Sequence, residues 1–210
     1  MLRVTDLLKK YGERTILSID ELTIGDGNTQ LKGINGCGKT TYSKIVAGIK
    51  PFRGTITLHG KYDPQKTKVK YRKLVNYAEP EAIYPDYLSA YDLLTFVGKA
   101  KGASNHDINS IAEQFGINEY LYDHTGSYSS GMLKRLSLSL AFVGKPSLII
   151  LDEPLNALDT EAIAIVKNMV EESNRKGINF ILVSHQELAK VGIPITYTFV
   201  VEHHTIRPER

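Results

Sequence analysis

The period of apolar positions changes several times along the chain. Residues 2–8 (LRVTDLL) and 16–24 (ILSIDELTI) predict strands, with Tyr11-Gly12-Glu13 as the turn region between them. Residues 29–32 (TQLK) should be the strand that feeds a glycine-rich loop, although only Leu31 is strongly apolar. A strand buried on both faces is normally a run of Val, Ile and Leu. After the loop, Tyr42, Ile45, Val46 and Ile49 recur at i, i+3, i+4 and i+7, one apolar helix face, which Lys50-Pro51 stops. Residues 54–59 (GTITLH) alternate as a strand does, 61–73 read as a basic, polar surface excursion, and 74–78 form a short strand ending at Glu79-Pro80.

From about Pro85 the pattern turns helical. Ser89 with Asp92 resembles a capping box, ahead of Leu93, Leu94, Phe96 and Val97. Ile108, Ile111, Ala112 and Phe115 give a second helical face ended by Gly116, and a third helix starts near Ser130 with Leu133, Leu136 and Leu140 on one side. Ser147–Pro154 (SLIILDEP) and Ile178–Val183 (INFILV) are continuous apolar runs, as buried parallel strands require. Between them Ala162, Ile165, Val166, Met169 and Val170 mark an amphipathic helix over 160–176, closed by Gly177. A last strand spans 195–201, and the tail EHHTIRPER, with adjacent His203 and His204 lacking metal spacing, reads as solvated. Strands alternating with helices predict one doubly wound α/β domain over 1–210: a P-loop core with a mainly parallel sheet, an N-terminal antiparallel part and a helical insert at about 82–145.

Composition narrows the picture. The 210 residues suit a single domain, and a net charge of +3 with no run of Lys and Arg gives no nucleic-acid footprint. One cysteine excludes an intrachain disulfide framework and suits a reducing compartment. Asp6, Lys9 and Lys10 interrupt what would be a signal peptide, and Lys145-Pro146 break the most apolar stretch. Any membrane crossing is expected to belong to another chain.

The chemistry centres on Gly33–Thr41 (GINGCGKTT), which fits Gly-x-x-x-x-Gly-Lys-Thr. Its glycines let successive N–H groups turn inward into an anion nest. Lys39 supplies a point charge for phosphates, Thr40 a hydroxyl for a metal, and the following helix its positive N-terminus. Binding alone does not hydrolyse. Asp152, ending an apolar strand, suits a Mg²⁺ anchor, and Glu153 beside it suits a group that orients or deprotonates water.

In order along the chain, these motifs resemble the ABC ATPase family over nearly the whole length. Tyr11 sits where the family stacks an aromatic on adenine, and Glu79 where its Q-loop usually has glutamine. YSSGM (Tyr128–Met132) resembles a divergent LSGGQ signature, NALD (Asn156–Asp159) the D-loop, and His185 the switch histidine, with Gln186 where Asp is frequent. The resemblance implies ATP and Mg²⁺ as cofactors. It implies nucleotide contacts from Tyr11, Asn35, Gly36, Cys37, Gly38, Lys39, Thr40 and Thr41, metal contacts from Thr40, Glu79 and Asp152, and catalytic roles for Lys39, Glu153 and His185. Ser129 and Gly131 would act in trans, in a head-to-tail dimer closed over two ATP molecules. YSSGM by itself equally describes an N-capped helix, and Asp159 a helix cap as well as a contact to the opposing subunit.

The resemblance implies that the chain powers a transporter, and specifically an exporter, because in the family glutamate at the Q-loop is seen mainly among exporters whose membrane half is a separate short polypeptide. That partner would be a transmembrane permease subunit, with this chain peripheral at the cytoplasmic face. Tyr84, Tyr87 and Tyr91 would line the groove for its short helix. The alternatives are a non-transport ABC ATPase acting on nucleic acid or ribosomes, which the balanced charge disfavours, and a nucleotide-dependent regulatory module. Because Cys37 lies within the phosphate loop, a thiol reagent is expected to inactivate the protein and ATP to slow labelling. Equal labelling rates with and without ATP, followed by mass spectrometry, would count against that placement.

Overall fold

A computed structural model describes residues 1–209. β1 (Leu2–Tyr11) and β2 (Arg14–Ile24) form an antiparallel hairpin, and β4 (Arg53–Leu58) pairs with the other edge of β1. The alternation in sequence becomes sidedness: Leu2, Val4 and Leu7 of β1, with Leu17, Ile19 and Ile24 of β2, are buried.

The second sheet has the order β5 (Val75–Ala78), β6 (Leu148–Asp152), β7 (Asn179–Val183), β3 (Asn28–Lys32), β8 (Tyr197–Glu202), β9 (Thr205–Pro208). Its pairings are parallel except β8 with β9. Every residue of β6 and β7 is buried, so neither strand shows the alternation of a half-exposed one. One sheet face, through Ile150, Ile181 and Val183, packs on α1 (Lys39–Val46) and the antiparallel sheet. The other, through Ile149, Leu151, Phe180 and Leu182, packs on the helices.

Those helices are α3 (Ala90–Lys101), α4 (Asn105–Gln114) and α5 (Ser130–Phe142), all between β5 and β6, and α6 (Thr160–Arg175) between β6 and β7. Ser89 with Asp92 and Ser104 with Asp107 form reciprocal capping boxes, each serine accepting from the N3 amide while the aspartate accepts from the serine N–H. Ser129 caps α5 and Asp159 caps α6 through the Ala162 N–H at 2.7 Å.

Several elements differ from expectation. The polar stretch 61–73 contains most of α2 (Lys68–Leu74), whose Tyr71 is fully buried and donates to the Val46 carbonyl at 2.6 Å. One inward aromatic among lysines leaves no periodic signal. The α1 helix stops at Val46, so Ile49 falls outside its core face and is half-exposed. His203 and His204 are exposed but form the turn of the β8–β9 hairpin, and the His204 carbonyl accepts from the Ser18 N–H at 2.7 Å.

The polar start of β3 also has a physical account. Asn28, Thr29 and Gln30 are buried beside β7 and β8. Asn28 exchanges side-chain amide bonds with Asn174 of α6, both at 2.8 Å, and donates to the Pro194 carbonyl at 2.7 Å. Gln30 donates to the Gln186 carbonyl at 2.6 Å, tying the strand to the loop after β7. Asn28→Ala leaves Asn174 Oδ1 and the Pro194 carbonyl without the donor they share, so urea unfolding should show a loss of about 2 kcal/mol at unchanged m-value.

Candidate active site

The parallel register brings three strand ends to one edge. Leu31 of β3 lies opposite Val183 of β7, and Asp152 of β6 lies opposite the same Val183. The next residues continue the pattern: Glu153 N–H donates to the Val183 carbonyl at 2.8 Å, and Ser184 N–H to the Leu31 carbonyl at 3.4 Å. The phosphate-type loop, Asp152-Glu153 and His185 therefore share one edge although far apart in sequence.

Gly33 turns the chain out of β3 at φ 146°, and a Cβ there would come within 2.7 Å of both Cys37 Sγ and the Val201 carbonyl oxygen. Only glycine fits that close approach. Gly38, at φ 115°, then starts α1, and Lys39 is its first residue. Asn35, Gly36, Gly38, Lys39, Thr40 and Thr41 line a cleft of about 510 Å³ together with Asp152, Glu153 and His185.

The Lys39 ammonium donates to the Gly33 carbonyl at 2.7 Å and the Ile34 carbonyl at 3.1 Å, and stands 3.4 Å from His185 Nε2. His185 Nε2 lies 3.3 Å from Glu153 Oε1, at ion-pair distance but without hydrogen-bond alignment. Glu153 holds a positive φ of 48°, a strained position for a side-chain-bearing residue and one that aims its carboxylate into the cleft. Burial raises the pKa of Glu153, while His185 opposes the shift. Burial also raises that of Asp152, against the Thr40 and Tyr77 hydroxyls and the Lys134 and Lys39 ammoniums. Tyr77 donates to Asp152 Oδ2 at 3.3 Å.

Among the described residues no cluster of three or more His, Cys, Asp or Glu forms a cage for a metal. A Thr40 hydroxyl facing a buried Asp152 carboxylate instead fits Mg²⁺, which takes few protein ligands and completes its shell with water and substrate phosphates.

Other sequence-expected residues lie outside the cleft wall. Tyr11 is nearly half-exposed, with the Lys9 and Lys50 ammoniums 4.7 and 5.4 Å from its ring centroid, and the Lys50 hydrogen bond holds its hydroxyl below the ordinary value. Cys37 packs on the core beneath the loop. Ser129 and Gly131 stand at the start of α5, where a Cβ on Gly131 would meet the Ala157 carbonyl at 3.3 Å. Asp159 pairs with Arg135 at 3.1 Å.

Glu79 lines an adjacent groove, its carboxylate on Lys44 of α1 at 2.8 Å. The acidic residue of that segment in the cleft wall is Glu81. Asn156, the first residue of the NALD stretch, and Arg14, which carries no sequence signal, also line the cleft. Lys134 carries no sequence signal either and is buried.

Comparison with known proteins agrees with this geometry. A family profile described as ABC transporter matches residues 18–156. The chain is 32% identical over 187 residues to the lantibiotic transport ATP-binding protein SrtF of Streptococcus pyogenes, covering 88% of this chain and 80% of that one. It is 28% identical over 194 residues to the bacitracin transport ATP-binding protein BcrA of Enterococcus faecalis, covering 91% of this chain and 63% of that one. A solved structure titled "Structure of ATP binding subunit of ABC transporter" superposes with a TM-score of 0.89 at 24% identity, over all of this chain and 89% of the other, and so shares its fold. The chain belongs to the ABC transporter family, as an ATP-binding and ATP-hydrolysing subunit.

Proposed function

We propose that this subunit drives an exporter by closing head to tail on a second copy of itself over two ATP molecules, and reopening after hydrolysis. The observation that carries the reading is the convergence of Lys39, Thr40, Asp152, Glu153 and His185 on one cleft, while Ser129 and Gly131 remain outside it. The second group would meet the γ-phosphate of the opposing copy. An amide-rich helix start with two serines suits that anion. The transport names of SrtF and BcrA support the transporter role, and Glu79 at the Q-loop supports the outward direction.

In the cleft, the loop amides and Lys39 hold the phosphates. Thr40 and Asp152 would hold Mg²⁺, which when bound would neutralise phosphate charge, and Glu79 would have to leave Lys44 to join them. Glu153 takes a proton as water oxygen bonds to the γ-phosphorus and the bond to the ADP oxygen breaks. His185, between Glu153 and Lys39, keeps the carboxylate and ammonium facing one reacting group. Tyr11 flanks the adenine end.

No helix among the described residues is long and apolar enough to cross a membrane. The permease would dock in a groove of about 770 Å³ lined by Ile49, Ile83, Tyr84, Phe96 and Val97. Ile83 and Phe96 are 94% and 75% exposed, an apolar cost that a partner helix would remove. Of the three tyrosines expected there, Tyr84 lines the groove; Tyr91 packs on Tyr122 at 5.1 Å and Tyr87 is exposed. The subunit would work at the cytoplasmic face.

Glu153→Gln should bind Mg-ATP normally, lower turnover by about 100-fold or more, and accumulate as an ATP-bound dimer in light scattering. Wild-type turnover in this variant would exclude the role given to Glu153; a monomer with ATP bound would exclude closure by this chain alone. Phe96→Asp should change stability by no more than about 0.5 kcal/mol and leave ATP hydrolysis intact. In cells that make the permease it should move the subunit from the membrane pellet to the supernatant; unchanged sedimentation would place the docking surface elsewhere.

A further inference from the structure

We propose that Lys134 is a positioning residue for ATP hydrolysis, bracing the Glu79–Pro80 turn against the end of β6. The inference rests on the reading of the cleft as the site of hydrolysis. Lys134 is 4% exposed, one helical turn into α5. Its ammonium donates to the Pro80 carbonyl at 3.2 Å, the Asp152 carbonyl at 3.3 Å and the Glu79 carbonyl at 3.4 Å. Three segments distant in sequence thus meet on one nitrogen.

Burying an ammonium is unfavourable unless it is well solvated by the protein. Here the solvating groups are backbone carbonyls, and no carboxylate among the described residues forms a direct ion pair with it. Asp152, Glu153 and Glu81 favour its charge from a distance, against the burial that lowers its pKa to about 8. A lysine serving only as packing has no need to reach these carbonyls; its stem could lie along the helix and its charge in water.

The bonded atoms explain why the position matters. The Asp152 carbonyl and the Glu153 N–H belong to one peptide plane, the one that leads into Glu153 at its strained φ of 48°. The N–H edge of that plane is fixed to the Val183 carbonyl and its C=O edge to the Lys134 ammonium, so the peptide plane cannot rotate freely. The other two carbonyls hold the turn from which Glu79 faces the groove and Glu81 faces the cleft. Without the ammonium, both segments are free to move by fractions of an ångström, and carboxylate placement at this scale controls rate.

The test uses the full chain with Lys134→Met, which keeps the stem and removes the charge, and Lys134→Gln, which keeps a donor. Steady-state hydrolysis of Mg-ATP, binding of a fluorescent ATP analogue and thermal unfolding are measured for each. The expected result is a fall in kcat of about 10- to 100-fold for Lys134→Met, with KM and nucleotide affinity within about threefold of wild type, and a smaller fall for Lys134→Gln. A kcat within about threefold of wild type in both variants overturns the proposal. So does a parallel loss of kcat, affinity and folding in both, which makes Lys134 structural. Glu153→Gln in the same assay separates the two ideas: if it turns over at the wild-type rate, the hydrolytic reading of the cleft fails whatever Lys134 does.

Discussion

The hydrogen-bond register between β6, β7 and β3 is the constraint on which the rest of the molecule depends. Asp152 and Leu31 both lie opposite Val183, so the residues after each strand emerge at one level. A slip of one residue in either pairing would move Asp152 or the loop by about 3.3 Å and turn alternate side chains to the opposite sheet face. The buried apolar runs of β6 and β7 hold that register through packing on both faces. The amide bonds of Asn28 and Gln30 pin β3, which lacks an apolar run of its own.

Charge is then concentrated where packing alone would exclude it. Asp152, Lys39 and Lys134 are all nearly inaccessible to solvent, and Glu153 is close by. None is left without compensation: Lys39 bonds loop carbonyls, Lys134 bonds turn carbonyls, and Asp152 accepts from Tyr77. Such a set is sensitive to the loss of any member, because a remaining buried charge keeps its desolvation penalty. It is also well arranged to accept a highly charged substrate without reorganising.

The segment Glu79–Glu81 separates the cleft from the apolar groove beside it. Glu79 is joined to α1 through Lys44, and the backbone of the segment is joined to α5 through Lys134. A force on the groove therefore has a direct covalent and hydrogen-bonded route to the sheet edge that carries Asp152 and Glu153. If the permease docks in the groove as proposed, that route links docking to nucleotide chemistry within a few residues.

The sequence by itself determined the phosphate-loop pattern, the buried strands, the serine-capped helices and the acidic pair Asp152-Glu153. These are encoded by local rules: apolar period, capping chemistry and motif spacing. It did not reveal α2, where Tyr71 is a lone inward aromatic among lysines, or the β9 hairpin, whose short strand carries one buried residue, Ile206. It pointed to Glu79 and not to Glu81, and only the backbone of the turn shows Glu79 facing the groove and Glu81 facing the cleft. Lys134 is the clearest case. In sequence it is one more helical lysine, and only the tertiary structure decided its burial, because its partners are backbone carbonyls, groups that every residue carries and no sequence pattern distinguishes.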